Sequence, residues 1–239
     1  MGSSNSFFAS FTQFLSNGRA VNSFKTNLFR LKSCNFTGNG QVDMGAVSVR
    51  ADFIDISNCV FFGNVATGAN PGGCGAGLVV SGTTSSSRAT ITDTSFYSNQ
   101  ATGGIGAVLA TGISLVISSC TFMTNSGGSN RAAWGGALSF SGATLQIFDS
   151  QFMGNRATCG GMAVVAYASE YFAMYNTTVV GNHGTTRPDC APGVINATII
   201  YTGVAPSMKD VTFGQNTIND QPTPDIAGYG LSSLVYPCS

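Results

Sequence analysis

The feature that most constrains the fold of this 239-residue chain is the tetrapeptide Phe-x-x-Asn, which recurs along nearly its whole length. Of the 17 Phe residues, eight are followed by Asn three positions later, whereas chance predicts about one. The anchors of the repeat are Phe14, Phe36, Phe61, Phe96, Phe122, Phe152, Val179 and Phe213. Spacings of 22 to 35 residues between anchors are typical of a repeat protein whose loops absorb insertions.

Alignment on the anchors exposes further columns. The residue five positions earlier is always apolar from the second anchor onwards: Leu31, Ile56, Ile91, Ile117, Ile147, Met174 and Met208. The residue before it is mostly polar and the one before that mostly apolar, which predicts a strand buried on one face. Three positions before the anchor, again from the second anchor onwards, the chain has only Ser, Asn or Asp, which predicts a bend there.

A second short strand carries the anchor itself, and a loop follows the Asn. A Gly-rich turn such as Gly135-Gly136 then leads into a third strand. Three strands per repeat, always in the same order, predict an all-β right-handed parallel β-helix. We expect a single domain over residues 1–239, with about eight coils and three parallel sheets.

In such a stack the Asn residues of the repeat form one column. Each side-chain amide then bonds its neighbours above and below, which satisfies buried polar groups. The predicted ladder consists of Asn17, Asn39, Asn64, Asn99, Asn125, Asn155, Asn182 and Asn216.

The composition of the chain argues against several classes of function. Charged residues make up only 8% of the chain and the formal net charge is zero, so no basic surface for nucleic acid is expected. There is no run of 18 apolar residues, so we expect no transmembrane segment in this chain. Residues 1–10 lack a basic stretch followed by an apolar one, so no secretory signal is expected there.

The seven cysteines show no Cys-x-x-Cys spacing, so a zinc site is not expected. Cys159 and Cys190 lie in corresponding loops of consecutive repeats, which makes them the best candidates for a disulfide. Cys34 and Cys59 share one column; we interpret them as core thiols, with a disulfide between repeats as the alternative. Sequons for N-glycosylation begin at Asn35, Asn176 and Asn196.

The pairing of Phe122-Met123-Thr124-Asn125 with Gly135-Gly136-Ala137-Leu138 resembles the repeat of the chlamydial polymorphic outer membrane proteins. Similar repeats occur in surface and secreted proteins of algae and other protists. The resemblance covers nearly the whole chain, from about residue 14 to 226. It implies a parallel β-helix at the cell surface or outside the cell that works in adhesion. In the bacterial family the β-helix is followed by a membrane β-barrel, and we expect no such barrel within residues 1–239.

An enzyme on a β-helix needs clustered carboxylates with a metal or a basic residue beside them. Asp93, Asp149 and Asp210 recur only on alternate coils, about 10 Å apart, so we interpret them as bend residues. His183, the single histidine, is expected to be a solvated loop residue. No catalytic residue, cofactor or metal site is predicted.

The sequence therefore favours a non-catalytic extracellular structural or adhesion module of a cell-surface or filamentous assembly. Its expected partners are further copies of itself, other surface proteins and glycans. Phe7, Phe8, Phe11 and Phe14 crowd the first repeat without a capping helix, which favours stacking through exposed ends. Two alternatives remain: a polysaccharide lyase or hydrolase, and a glycan-binding module. For the glycan-binding alternative, the candidate residues are Trp134, Arg131, Arg156 and Arg187.

Overall fold

The computed structural model describes residues 5–16, 18–41, 45–68, 75–128, 135–158, 160–185, 197–222 and 224–228. These residues form strands joined by turns and bends, and none of them is helical. The prediction of an all-β chain with parallel strands is confirmed, since all but one of the strand pairs are parallel.

The strands, in chain order, are β1 (Ser6–Ser10), β2 (Gln13–Leu15), β3 (Val21–Lys32), β4 (Asn35–Thr37), β5 (Gly40–Gln41), β6 (Val47–Ser57), β7 (Val60–Phe62), β8 (Val65–Ala66), β9 (Leu78–Gly82), β10 (Arg88–Thr92), β11 (Ser95–Tyr97), β12 (Gln100–Ala101), β13 (Val108–Thr111), β14 (Ser114–Ser118), β15 (Thr121–Met123), β16 (Leu138–Phe148), β17 (Gln151–Met153), β18 (Arg156–Thr158), β19 (Val164–Val180), β20 (His183–Thr185), β21 (Ile199–Gly203), β22 (Ser207–Gly214), β23 (Thr217–Ile218), β24 (Gln221–Pro222) and β25 (Ile226–Gly228).

Each repeat pairs with the repeat before it and the repeat after it, in the register given by the anchors. Phe36 lies opposite Phe14 on one side and opposite Phe61 on the other. The same register continues through Phe96, Phe122, Phe152, Val179 and Phe213. Backbone hydrogen bonds therefore run from repeat to repeat along the stack, as in any parallel sheet.

The sheets differ from the three separate ones that the sequence predicts. Eighteen strands form one continuous sheet, because β3, β6, β16 and β19 run without interruption through positions that we expected to belong to two or more strands. The segment after each Asn, expected to be a loop, contains a short strand. These short strands form a sheet of three strands and a sheet of four. The pair β23–β24 is the antiparallel exception.

Aromatic rings fill the core. The Phe residues of successive anchors stack face to face, with ring centroids 4.6 Å apart for Phe14 and Phe36 and 4.9 Å apart for Phe96 and Phe122. From the second to the sixth anchor each Phe is fully buried, and Val179 continues the column with no exposure. Burying one such side chain stabilises the fold by about 1.5–3 kcal/mol, and the repeat multiplies that contribution.

The bend before each anchor has a defined backbone geometry. Ser, Asn or Asp stands there with a positive φ of 46° to 54° in Ser33, Asn58, Asp93, Ser119, Asp149, Asn176 and Asp210. Their short polar side chains reduce the cost of this left-handed conformation. In the first repeat Phe11 occupies the same position with φ 50° and is 80% exposed.

The Gly-rich turns bring neighbouring repeats too close together for a side chain. A Cβ atom on Gly136 would collide with the carbonyl oxygen of Met162 in the next repeat, and one on Gly106 would collide with the carbonyl of Gly136. Glycine is therefore required at these positions because backbone approaches backbone.

Candidate functional site

The Asn column forms a continuous ladder of hydrogen bonds. The Nδ2 atom of each Asn donates to Oδ1 of the Asn in the following repeat at 2.8–3.1 Å, from Asn39 to Asn216. The backbone amide of each donating Asn binds the same oxygen at 2.9–3.1 Å. From Asn39 to Asn216, Nδ2 also donates to the carbonyl oxygen of the anchor residue in the preceding repeat. Asn17 lies outside the described residues.

From Asn64 to Asn182, each side-chain amide in this column uses both of its donors and its acceptor within the protein. Asn64, Asn99, Asn125, Asn155 and Asn182 have no exposed surface. The ladder therefore holds the turn after the anchor in place and leaves no polar group free to bind a ligand.

The three bend aspartates do not form a carboxylate cluster. The Nδ2 atom of Asn176 donates to Oδ1 of Asp149 at 2.7 Å, and Nδ2 of Asn58 donates to Oγ of Ser33 at 3.0 Å. This column therefore contains side-chain hydrogen bonds between neighbouring repeats rather than two carboxylates side by side. In the described part of the chain no three His, Cys, Asp or Glu residues are placed to hold a metal ion.

The sequence predicted that His183 lies in a loop, but the structure places it in a strand. It begins β20 and pairs in parallel with Arg156 and Thr217. Its Nδ1 atom lies 2.8 Å from Oγ1 of Thr217 and 3.9 Å from a carboxylate oxygen of the exposed Asp220. Arg131, Trp134 and Arg187 lie outside the described residues.

Cys34, Cys59 and Cys120 are free, buried thiols. This agrees with the interpretation of Cys34 and Cys59 as core residues rather than a disulfide. Burial raises the pKa of Cys59 and that of Cys120 to about 12. Both thiols therefore stay protonated and unreactive at neutral pH. Cys159 and Cys190 lie outside the described residues, so their disulfide stays a prediction.

The sequons differ in accessibility. Asn176 is exposed at its bend, although its Nδ2 atom is bound to Asp149. Asn35 is half-buried in β4, and its Oδ1 atom accepts a hydrogen bond from the Thr37 hydroxyl at 2.7 Å. Asn196 lies outside the described residues. Of the two described sequons, Asn176 offers the better acceptor for a glycan.

A groove that the sequence did not reveal lies where each repeat turns from its Gly-rich strand into the next strand. Its first part, about 320 Å³ in volume, is lined by Lys25, Thr26, Asn27, Arg50, Asp52 and Thr83. These residues come from three successive repeats. We call this concavity, together with its continuation below, the corner groove.

A β-bulge opens the first part of the groove. The pairing of β3 with β6 shifts register between Phe24 and Thr26, so Lys25 is left over with a φ of 57°. A bulge re-aims the side chains around it, which places Lys25 beside residues that are not its neighbours in the regular columns. The alignment on Phe anchors does not show this cluster because the bulge adds a residue outside the repeat.

The corner groove continues past Thr83 along the stack. The second part, about 540 Å³ in volume, shares Thr83 with the first and extends to Tyr167, Ser169 and Glu170. Its floor contains Gly82, Gly112 and Gly142, which occupy one column. A Cβ on Gly82 would collide with the carbonyl oxygen of Gly112, and one on Gly142 with that of Ile113.

Three polar atoms of the first part have no hydrogen-bond partner among the described residues. Oγ1 of Thr26, Oδ1 of Asp52 and Oγ1 of Thr83 are buried without a hydrogen-bond partner among the described residues. In the same part of the chain, Lys25, Arg50 and Asp52 form no ion pair within 4.0 Å, whereas Arg30 and Asp55 pair at 2.8 Å on the neighbouring surface. Buried polar groups normally have partners, so these atoms mark a place where a polar ligand fits.

No helix in the described residues is long and apolar enough to cross a membrane. Comparison of the chain with protein-family models, with curated proteins and with solved structures finds no match.

Proposed function

We propose that the chain is a right-handed parallel β-helix of about eight coils, each containing one Phe or Val anchor. Support comes from the in-register parallel pairing of anchors in neighbouring repeats, from Phe14–Phe36 to Val179–Phe213. Nearly all crossovers between parallel strands of one sheet are right-handed, which supports the handedness. At about 4.8 Å per coil the rod is about 38 Å long.

We infer that this rod is a non-catalytic structural or adhesion module of an extracellular, cell-surface or filamentous assembly. The observation that carries the proposal is that strands at both ends of the stack pair with a described strand on one side only. Among the described strands, β1 pairs only with β3 and β2 only with β4, while β22 pairs only with β19. Within the described residues, one edge of each of these strands is not paired with another strand, and such an edge is a template for another chain.

The apolar columns also end without a cover from the described residues. Phe7 and Phe14 at one end are only partly buried, and each stacks on a single Phe, Phe29 or Phe36. Met208 and Phe213 are likewise partly buried at the other end, where Met208 ends the column that begins with Ala9 and Phe213 ends the column that begins with Phe14. A second copy that added its first repeat to β22 would place Phe14 on Phe213 and continue the stack.

Such a contact joins two different surfaces, so it repeats from copy to copy and produces a filament unless the rotation closes a ring. The first-repeat aromatics have separate roles in this proposal. Phe7 and Phe14 belong to the end of the core, whereas Phe8 is 57% exposed and lies with its ring 5.8 Å from the Arg30 guanidinium on the side of the stack. The exposed Phe11 belongs to a bend.

Polysaccharide cleavage is the second candidate, because the corner groove contains Lys25, Arg50 and Asp52. Hydrolysis needs two carboxylates about 5–9.5 Å apart. The other carboxylate of the groove, Glu170, lies four repeats further along, about 19 Å away at the usual spacing. Binding without cleavage therefore accounts better for the groove.

The proposal is tested by electron microscopy of the concentrated protein. We expect rods whose lengths are multiples of about 38 Å, the length of one copy. Particles of a single length at all concentrations would contradict assembly through the ends. Release of new chain ends from an acidic polysaccharide would contradict the non-catalytic role.

A further inference from the structure

The corner groove has a chemistry that the end-to-end proposal does not use. Its first part brings together two cations, Lys25 and Arg50, one carboxylate, Asp52, and two hydroxyls. The formal charge of this set is one positive. Cations without ion-pair partners attract an anion, while the free Asp52 and Thr oxygens bind hydroxyl groups of the same ligand.

The shape of the groove indicates an extended ligand. Thr83 lines both parts, and their lining residues come from six successive repeats, from the one that contains Lys25 to the one that contains Glu170. At about 4.8 Å per repeat, the groove extends about 24 Å along the stack. A ligand that fills it is a polymer rather than a single small molecule.

The walls favour a saccharide over a peptide. A peptide strand binds through free backbone groups at a sheet edge. Here the backbone amides bond along the stack, as Gly112 N does to the carbonyl of Ser141 at 2.7 Å. What the groove offers instead are side-chain hydroxyls, including those of Thr84, Ser85 and Ser141. Hydroxyls match the donors and acceptors of a carbohydrate chain.

Two exposed aromatic side chains flank the charged part. Phe24 lies opposite Arg50 in the β3–β6 pairing and is 59% exposed, and Phe53 follows Asp52 and is 56% exposed. Aromatic rings have a large apolar surface that suits the carbon-bound hydrogen face of a sugar ring. Neither ring lines the groove itself, but Phe24 lies beside Arg50 in the strand pairing and Phe53 is next to Asp52 in the chain.

We propose that the corner groove binds an extended acidic polysaccharide, with an anionic substituent of one sugar held between Lys25 and Arg50. The substituent can be a carboxylate or a sulfate, because both groups are anions that accept hydrogen bonds from Lys and Arg. The inference deepens the proposed adhesion role and rests on it for its biological setting. The groove lies along the side of the stack and does not need the ends to assemble.

Binding is measured by calorimetry with polygalacturonate, dextran sulfate, neutral dextran and polyglutamate at low and high salt. We expect the two acidic polysaccharides to bind and dextran and polyglutamate to bind at least tenfold more weakly. Polyglutamate that binds as tightly as polygalacturonate would show that charge alone is recognised and would overturn the proposal. Failure of both acidic polysaccharides to bind would also overturn it.

Two double variants, each with two substitutions in one protein, test where the polysaccharide binds. Lys25→Gln with Arg50→Gln removes the cations of the groove, and Lys32→Gln with Lys209→Gln removes two exposed cations elsewhere. We expect at least a tenfold loss of affinity from the first pair, because it removes the charged donors that bind the anion, and little change from the second. Equal losses in both pairs would contradict the assignment.

Gly112→Asn blocks the groove without straining the backbone. Gly112 has a φ of 60° and a Cβ there would meet nothing within 4 Å, so Asn is tolerated. Gly63→Asn is the control, since Gly63 has a φ of 61° and equally open space outside the groove. We expect binding to be lost only in Gly112→Asn, with unfolding temperatures unchanged. The variant Phe14→Asp is designed to block end-to-end contact. If it still binds the polysaccharide, the groove works without assembly, and the two proposals can fail independently.

Discussion

The side-chain amide of Asn99 and its backbone amide both donate to Oδ1 of Asn125, at 2.9 Å and 3.1 Å. One oxygen therefore satisfies two buried donors of the preceding repeat. The Nδ2 atom of Asn125 meanwhile donates to the carbonyl of Phe96 and to Oδ1 of Asn155. Each rung of the ladder thus depends on its two neighbours.

Asn125→Ala is expected to lower the free energy of unfolding by about 3 kcal/mol or more. The change leaves the two Asn99 donors buried without an acceptor, and each such loss costs about 1–3 kcal/mol. Urea unfolding followed by circular dichroism measures the change. Asn22→Ala, at an exposed position of β3, is the control and should change stability by less than about 0.5 kcal/mol. Equal effects in the two variants would show that the ladder does not stabilise the fold.

Phe122→Ala is expected to cost about 3–5 kcal/mol. The ring is fully buried between Phe96 and Phe152, with centroid distances of 4.9 Å and 4.6 Å. Phe62→Ala provides a comparison, because Phe62 is 48% exposed on the outer side of β7. We expect the free energy of unfolding of Phe62→Ala to lie within about 1 kcal/mol of the wild-type value. A small effect of Phe122→Ala would contradict the role of the stacked rings.

The buried thiols make stability depend on pH only in the alkaline range. The folded pKa of Cys59 and of Cys120 is about 12, above the ordinary value of 9.0. Below about pH 9 both states keep the proton and this contribution is fully present. Between about pH 9 and 12 unfolding releases the proton, so the free energy of unfolding falls by up to about 1.4 kcal/mol per pH unit for each thiol.

Thiol labelling at pH 8 tests the same burial. Mass spectrometry of peptides should find Cys59 and Cys120 unlabelled in the folded protein and fully labelled in guanidinium chloride. Rapid labelling of either residue in the folded protein would contradict a protonated core thiol.

The sequence predicted the all-β parallel character and the alignment of repeats because these depend on residues that recur. Ser33, Asn58 and Asp93 indicated a bend, and each has the positive φ that its short polar side chain permits. The short strands after each Asn were missed, since β8 and β12 have two residues each and no alternation to detect.

The candidate site could not be predicted from the same columns. Lys25 lies in a β-bulge, so an alignment on Phe36 and Phe61 places it outside the repeat. Its proximity to Asp52 and Thr83 results from the bend of the backbone at that bulge. The interpretation of the first repeat also grouped Phe11 with Phe14, whereas the structure places Phe11 on an exposed bend.

The ends can be tested separately because they belong to different surfaces of the same chain. Phe14→Asp blocks the first end and leaves β22 intact, and Phe213→Asp blocks the second end and leaves β2 intact. Phe11→Asp is the matched control, since Phe11 is exposed and its positive φ suits Asp better than Phe. Circular dichroism checks that all three variants fold.

Sedimentation velocity of these proteins, alone and mixed, tests assembly through the ends most directly. We expect the wild type and Phe11→Asp to form species that lengthen with concentration, and Phe14→Asp and Phe213→Asp to be monomers. An equimolar mixture of the two monomeric variants should form dimers and nothing larger, because one intact end remains on each partner. A wild type that stays monomeric at high concentration, or a mixture that forms no dimer, would contradict the proposal.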